Sequence, residues 1–178
     1  TPSKVAMQIG ENEIWGENPR LRKATTGKID EVIPAPLYKK SEVVDQCSTL
    51  TLSFVGNYGI EFRAYNEAAA YRFTTTRKGD YTVKNEVAEF SFEKDNNVYC
   101  SYVRANSNKT FEQQYFNSFE GPYFIEPMTK MGKQRLMYLP VLVDMGDKKV
   151  CITETDLVNY PGMYLYNGDQ NTSLESHF

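Results

Sequence analysis

Ile60-Glu61-Phe62-Arg63-Ala64-Tyr65 is followed, after Asn66-Glu67-Ala68-Ala69, by Ala70-Tyr71-Arg72-Phe73-Thr74-Thr75. In each half, apolar and polar side chains alternate with the period of a strand, not with the 3.6 of a helix. Aromatic and β-branched residues fill both halves, and such residues pack well on a pleated surface. Asn66 supplies turn chemistry, although the Gly that a tight hairpin prefers is missing. Ala68-Ala69-Ala70 is too short for a helix and is flanked by strand formers. Ile60–Thr75 therefore reads as a β-hairpin. Arg63 and Arg72 then lie on facing strands, where they pair with Glu61 or other acids on one sheet face.

The same pattern continues outward. Leu50–Phe54 alternates, and Glu86–Glu93 alternates in part. Further strands are predicted at Val98–Val103, Tyr115–Phe116, Leu136–Leu139, Val141–Asp144 and Lys149–Thr153. Gly146-Asp147 makes a turn between the last two. Lys109–Asn117 fits a short helix or another strand. Asp156–Tyr160 reads as one helical turn, stopped by Pro161 and Gly162. Many short strands with closely spaced turns predict an all-β, antiparallel sandwich or barrel. The βαβ alternation of a nucleotide-binding fold is missing, as are G-x-G-x-x-G and P-loop motifs.

Composition removes several chemistries. The chain has 178 residues, enough for one domain or part of a larger one. Its net charge of −3 and lack of Lys/Arg blocks argue against a nucleic-acid partner. No run of about 18 apolar residues exists, so no membrane span is expected. The single His is His177, beside the end, which leaves no Ser-His-Asp triad, Cys-His pair or multi-His zinc site. Catalysis would need carboxylates, or residues outside this chain. Cys47, Cys100 and Cys151 lie far apart without C-x-x-C, and each reads as a small buried hydrophobe. The Tyr and Phe residues, including Tyr65, Tyr71, Phe73, Phe90 and Phe92, read as core. Trp15 and exposed tyrosines are the available sugar-stacking rings. Asn108-Lys109-Thr110 and Asn171-Thr172-Ser173 fit the glycosylation sequon, a triplet common by chance.

Three stretches together carry a family resemblance. They are Gly59–Phe73, Glu86–Phe92, and Leu139–Val143 followed by Cys151-Ile152-Thr153-Glu154-Thr155-Asp156-Leu157-Val158-Asn159-Tyr160-Pro161-Gly162-Met163-Tyr164-Leu165. In order and spacing the chain resembles the N-terminal domain of glycoside hydrolase family 97, bacterial α-glucosidases and α-galactosidases. Pro2-Ser3 and Trp15-Gly16-Glu17-Asn18-Pro19 fit its early parts. The resemblance implies a β-sandwich of the super-sandwich type over residues 1–178, a piece of a larger enzyme. The partner it implies is a (β/α)₈ barrel that carries the catalytic carboxylates and takes an α-linked oligosaccharide. It also implies a periplasmic or surface-attached location. Thr153-Glu154-Thr155-Asp156-Leu157 stands where the α-glucosidase branch commonly has H-E-A-A-L, and Glu67-Ala68 replaces a common D-G turn.

Glu154 is the one site residue that the resemblance supplies. It implies that this Glu reaches toward the barrel's active site and helps bind Ca²⁺. Calcium takes six to eight oxygens, which different domains can share, so this chain alone is expected to bind it weakly or not at all. Without the resemblance, Glu154 reads as a solvated residue at a strand end. Asp156 would share a face with Glu154 if the strand continued, but it reads rather as a cap for the turn that follows. Asn159–Met163 reads as a packed turn or an interface loop, with Gly162 supplying conformational freedom. No catalytic residue is assigned within the chain. The competing expectation is a free-standing carbohydrate-binding or cell-surface sandwich, which rests on fold analogy.

Overall fold

The computed structural model describes residues 2–103, 109–115, 120–168 and 172–178. Strands come in chain order as Val5–Ile9 (β1), Glu13–Trp15 (β2), Leu21–Pro34 (β3), Glu42–Phe54 (β4), Tyr58–Ala64 (β5) and Ala69–Thr75 (β6). Val83–Ser91 (β7) and Asn97–Tyr102 (β8) follow, then a short helix at Phe111–Gln114 (α1). Phe124–Pro127 (β9), Met137–Asp144 (β10), Lys149–Ile152 (β11), Tyr164–Asn167 (β12) and Ser173–His177 (β13) complete the series. The protein is all-β: of the described residues, 55% are strand and 4% helix, with antiparallel sheets, as expected of a β-sandwich. The chain forms two compact units, Trp15–Tyr81 and the pair Thr1–Ile14 with Thr82–Phe178.

The unit Trp15–Tyr81 is built on a four-stranded sheet in the order β3-β4-β5-β6. The hairpin is present, with Glu61 directly opposite Arg72 and Phe62 opposite Tyr71. Alternation sends Ile60, Phe62, Tyr71 and Phe73 to one face and Glu61, Arg63 and Arg72 to the other. On the polar face Arg72 reaches Glu61 at 3.0 Å, and Arg63 bridges Glu61 at 3.0 Å and Asp45 at 3.1 Å. Tyr65 donates its hydroxyl proton to Asp45 at 2.9 Å. The two Arg hydrogen bonds hold the Glu61 carboxyl below its ordinary range. On the apolar side, Trp15 is 1% exposed and stacks on Tyr58 at 5.3 Å, with Phe73 and Tyr81 around it. Trp15 is therefore core, not a sugar platform; a ring this large gains most from full burial. Gly59 is required here, because a Cβ would lie 2.6 Å from the Leu52 carbonyl oxygen. The long partner of β4, Leu21–Pro34, was not anticipated: it is exposed along nearly its whole length and shows no clean alternation.

The other unit carries the nine-stranded sheet, in the order β2-β1-β7-β13-β12-β10-β8-β9, with β11 also on β10. Leu136–Leu139 and Val141–Asp144, predicted as two strands, are one. Its first part pairs with β12 at Met137 and Tyr138, and its second with β11 from Val141 to Asp144. Pro140, which has no N–H to donate, falls between the two ladders. The predicted turn forms, with Met145 N–H bonded to Lys148 O and Gly146 at φ 92°. Val98, Val103, Leu136, Met137, Val141, Val143, Leu165 and Leu174 are fully buried. The segment around Lys109 resolves as helix, because Thr110 and Gln113 form a capping box. Gln114 ties that helix down, donating to Gln134 O at 2.8 Å and accepting from Leu136 N–H at 2.9 Å. Tyr115, predicted as strand, follows this helix instead; Phe116, Asn108 and Asn171 lie outside the described residues. Cys47 and Cys100 are buried as expected, whereas Cys151 is exposed on β11, which pairs with β10 off the main path of the sheet. Burial pushes the Cys100 thiol up to about 11.

Candidate functional site

β11 stops at Ile152 and β12 begins at Tyr164, so residues 153–163 form a loop. The helical turn predicted at Asp156–Tyr160 does not form. Asp156 and Asn159 instead take left-handed backbone, with φ of 62° and 56°. Asn and Asp tolerate that region better than other side chains, which is why the chain bends here without Gly. Asp156 therefore caps nothing helical, and its carbonyl accepts the Val158 N–H at 2.8 Å. The strand alternation that would align it with Glu154 is absent. Gly162 has ordinary negative φ, so the conformational freedom expected of it is used at Asp156 and Asn159.

Glu154 sits at the neck of this loop, half-buried. Its Oε1 accepts the Met163 N–H at 2.7 Å, joining the two ends of the loop. Its Oε2 takes no hydrogen bond from any described residue. A carboxylate with one oxygen fixed and one open is a preset oxygen donor. Leu157 and Val158 at the loop tip are exposed, Val158 at 73%.

A second carboxylate, missed in the sequence, faces the loop. Glu86 lies on β7, opposite Met7 of β1. Its Oε2 accepts the Tyr160 hydroxyl at 2.5 Å, and the Tyr160 ring meets Phe178 edge-on at 5.8 Å. Burial raises the Glu86 carboxyl above its ordinary value; the Tyr160 bond opposes this, and the charge of Glu154 adds to it. Tyr164 is raised by burial and again by Glu154. The structure thus gathers Glu154, Glu86, Tyr160 and Tyr164 around one loop. Glu86 carried no signal, since its strand reads as one of many alternating segments and lies far away in sequence.

Among the described residues, no group of three or more His, Cys, Asp or Glu is arranged to hold a metal ion. Among them, too, no helix is long and apolar enough to cross a membrane.

The profile of the family described as Glycosyl-hydrolase 97 N-terminal matches residues 1–178. A retaining alpha-galactosidase of Bacteroides thetaiotaomicron is 42% identical over 177 residues, covering 99% of this chain and 27% of its own length. Among solved structures, a glycoside hydrolase family 97 enzyme from Pseudoalteromonas sp. strain K8, in complex with acarbose, superposes with a TM-score of 0.80 at 16% identity. That match covers 100% of this chain and 27% of the enzyme. A beta-arabinopyranosidase gives a TM-score of 0.81 at 23% identity, over 99% of this chain and 29% of that one. At these identities the two structures speak for the fold alone. The chain spans little more than a quarter of the length of each of these relatives.

Proposed function

As this chain belongs to the family 97 glycoside hydrolases, as their N-terminal domain, we propose that it serves as the non-catalytic β-sandwich that packs on a (β/α)₈ catalytic barrel and lends Glu154 to a calcium site there. The observation that carries the reading is the Glu154 carboxylate itself. One oxygen is locked by the Met163 amide, and the other has no partner among the described residues. Calcium needs six to eight oxygens, so this donor fits one position of a site whose remaining ligands come from elsewhere. Calcium so held would supply a fixed positive charge to the site. What the present residues do is set the position of one carboxylate oxygen, at the neck of a loop with an exposed Leu157–Val158 tip. The alpha-galactosidase relative makes an α-galactoside the first substrate to try, with retention of configuration. Secretion to the periplasm or cell surface belongs to the same proposal.

The test uses two proteins. The 178-residue chain alone is expected to leave nitrophenyl α-galactosides and α-glucosides intact, while the full gene product hydrolyses one of them. Hydrolysis by the chain alone would overturn the proposal. Glu154→Gln in the full product should weaken calcium binding and calcium-dependent turnover. Unchanged calcium affinity would remove Glu154 from the site.

A further inference from the structure

The loop 153–163 has no ladder of its own, and two of its residues, Asp156 and Asn159, sit in left-handed backbone. Something outside it must hold its shape. The neck bond from Met163 to Glu154 cannot do so alone, because both of its partners belong to the loop. Tyr160 provides the outside contact, since its hydroxyl donates to Glu86 at 2.5 Å.

Glu86 is a rigid acceptor. It lies on β7, paired on one side with β1; on the other side stands β13, and β12 lies beyond that. Its carbonyl accepts the Ser176 hydroxyl proton at 3.2 Å, and the same Ser176 oxygen accepts the Ala88 N–H at 2.7 Å. The β7–β13 ladder ends at Glu89, and the Ser176 side chain extends the link between the strands to Glu86. The loop that enters β12 thus reaches past β13 to β7, with the Tyr160 ring against Phe178 as it crosses. A chain of contacts runs from the middle of the sheet through Glu86, Tyr160 and the Met163 amide to Glu154.

We infer that Tyr160 and Glu86 are positioning residues: their hydrogen bond latches the loop to the sheet and so fixes the carboxylate of Glu154. This rests on the reading of Glu154 as a calcium ligand. Outer partners that orient ligating groups typically change metal affinity by about 10- to 100-fold when removed.

The experiment uses the full gene product and two readouts, with a thermal melt confirming that each variant folds. Hydrogen exchange of the peptide spanning 155–163, followed by mass spectrometry without calcium, reports the latch itself. Tyr160→Phe and Glu86→Ala are expected to speed exchange about tenfold, as loss of one hydrogen bond should. Glu86→Gln, whose amide oxygen still accepts from Tyr160, should stay near the wild-type rate. Calorimetric titration with Ca²⁺ alone reports the consequence, and Tyr160→Phe and Glu86→Ala should raise Kd about tenfold. Unchanged exchange in both variants would overturn the latch. Faster exchange with unchanged Kd, while Glu154→Gln still weakens binding, would overturn the positioning role. Glu86→Gln as loose as Glu86→Ala would assign the effect to charge and overturn the hydrogen-bond account. If Glu154→Gln itself leaves Kd unchanged, the calcium reading fails and the inference falls with it.

Discussion

The Glu154 carboxylate accepts the Met163 amide proton at 2.7 Å and so closes the loop between β11 and β12. A bond of this kind has a structural role whatever else the carboxylate binds. Glu154→Gln keeps an oxygen at the same place and should change unfolding free energy by less than about 1 kcal/mol. Glu154→Ala leaves the amide without its acceptor and should lower it by about 1–2 kcal/mol. Urea unfolding of the chain measures both, and equal losses would show that the neck bond contributes nothing.

Trp15 is the single Trp and is almost fully buried against Tyr58. Its fluorescence should be blue-shifted in the native protein and should move to the red on unfolding. Added galactose or maltose should not change it. Trp15→Ala should cost about 3–5 kcal/mol. A sugar-dependent emission change would contradict the buried placement.

Asp45 is held by both Arg63 and Tyr65 on the polar face of the four-stranded sheet. Asp45→Ala removes the acceptor of both and should destabilise the chain by about 1–3 kcal/mol. The loss should shrink in an Arg63→Met background, where one of the two bereft donors is already gone. Additive losses in a double-mutant cycle would rule out that coupling.

Gly59 has no room for a side chain, because the obstructing atom is the backbone oxygen of Leu52. Gly59→Ala should force β4 and β5 apart and cost about 1–3 kcal/mol. By contrast, a Cβ on Gly162 meets only Glu154 Oε1 at 3.5 Å, so Gly162→Ala should be nearly neutral. Melting temperatures of the two variants make the comparison, and equal shifts would refute it.

His177 is wedged between Phe111, at 4.2 Å, and Tyr115, at 5.8 Å. Burial lowers its pKa below the ordinary 6.5, against an opposing pull from Glu112. The unfolded chain therefore takes up a proton before the folded one does. The stabilising contribution is complete above pH 6.5 and is lost as pH falls from 6.5 through the lower folded value. His177→Phe should flatten that limb of the stability curve. An unchanged slope would place the pH dependence elsewhere.

The hairpin Ile60–Thr75 is legible in the sequence because its two strands are half-buried, so alternation carries face information, and Glu61 meets Arg72 where pairing predicts. The strand Leu21–Pro34 is not, because both of its faces are exposed and nothing selects for alternation along it. Trp15 read as a possible platform because composition cannot tell a buried ring from an open one. Asp156–Tyr160 read as helix because Pro161 and Gly162 look like a stop signal, whereas the left-handed Asp156 and Asn159 are set by the loop's closure. The exposure of Cys151 follows from where β11 falls in the sheet, which its apolar neighbours do not reveal.

By itself, the sequence determined the all-β class, the polar face bearing Glu61, Arg63 and Arg72, the family resemblance, and Glu154 as the residue to watch. Those rest on short-range periodicity and on contiguous motifs, both of which are written along the chain. Only the tertiary structure decided that Glu86 faces the Glu154 loop through Tyr160. The strand order β7-β13-β12 brings together residues 74 positions apart. Long-range antiparallel pairing makes such a meeting, and no local pattern encodes it.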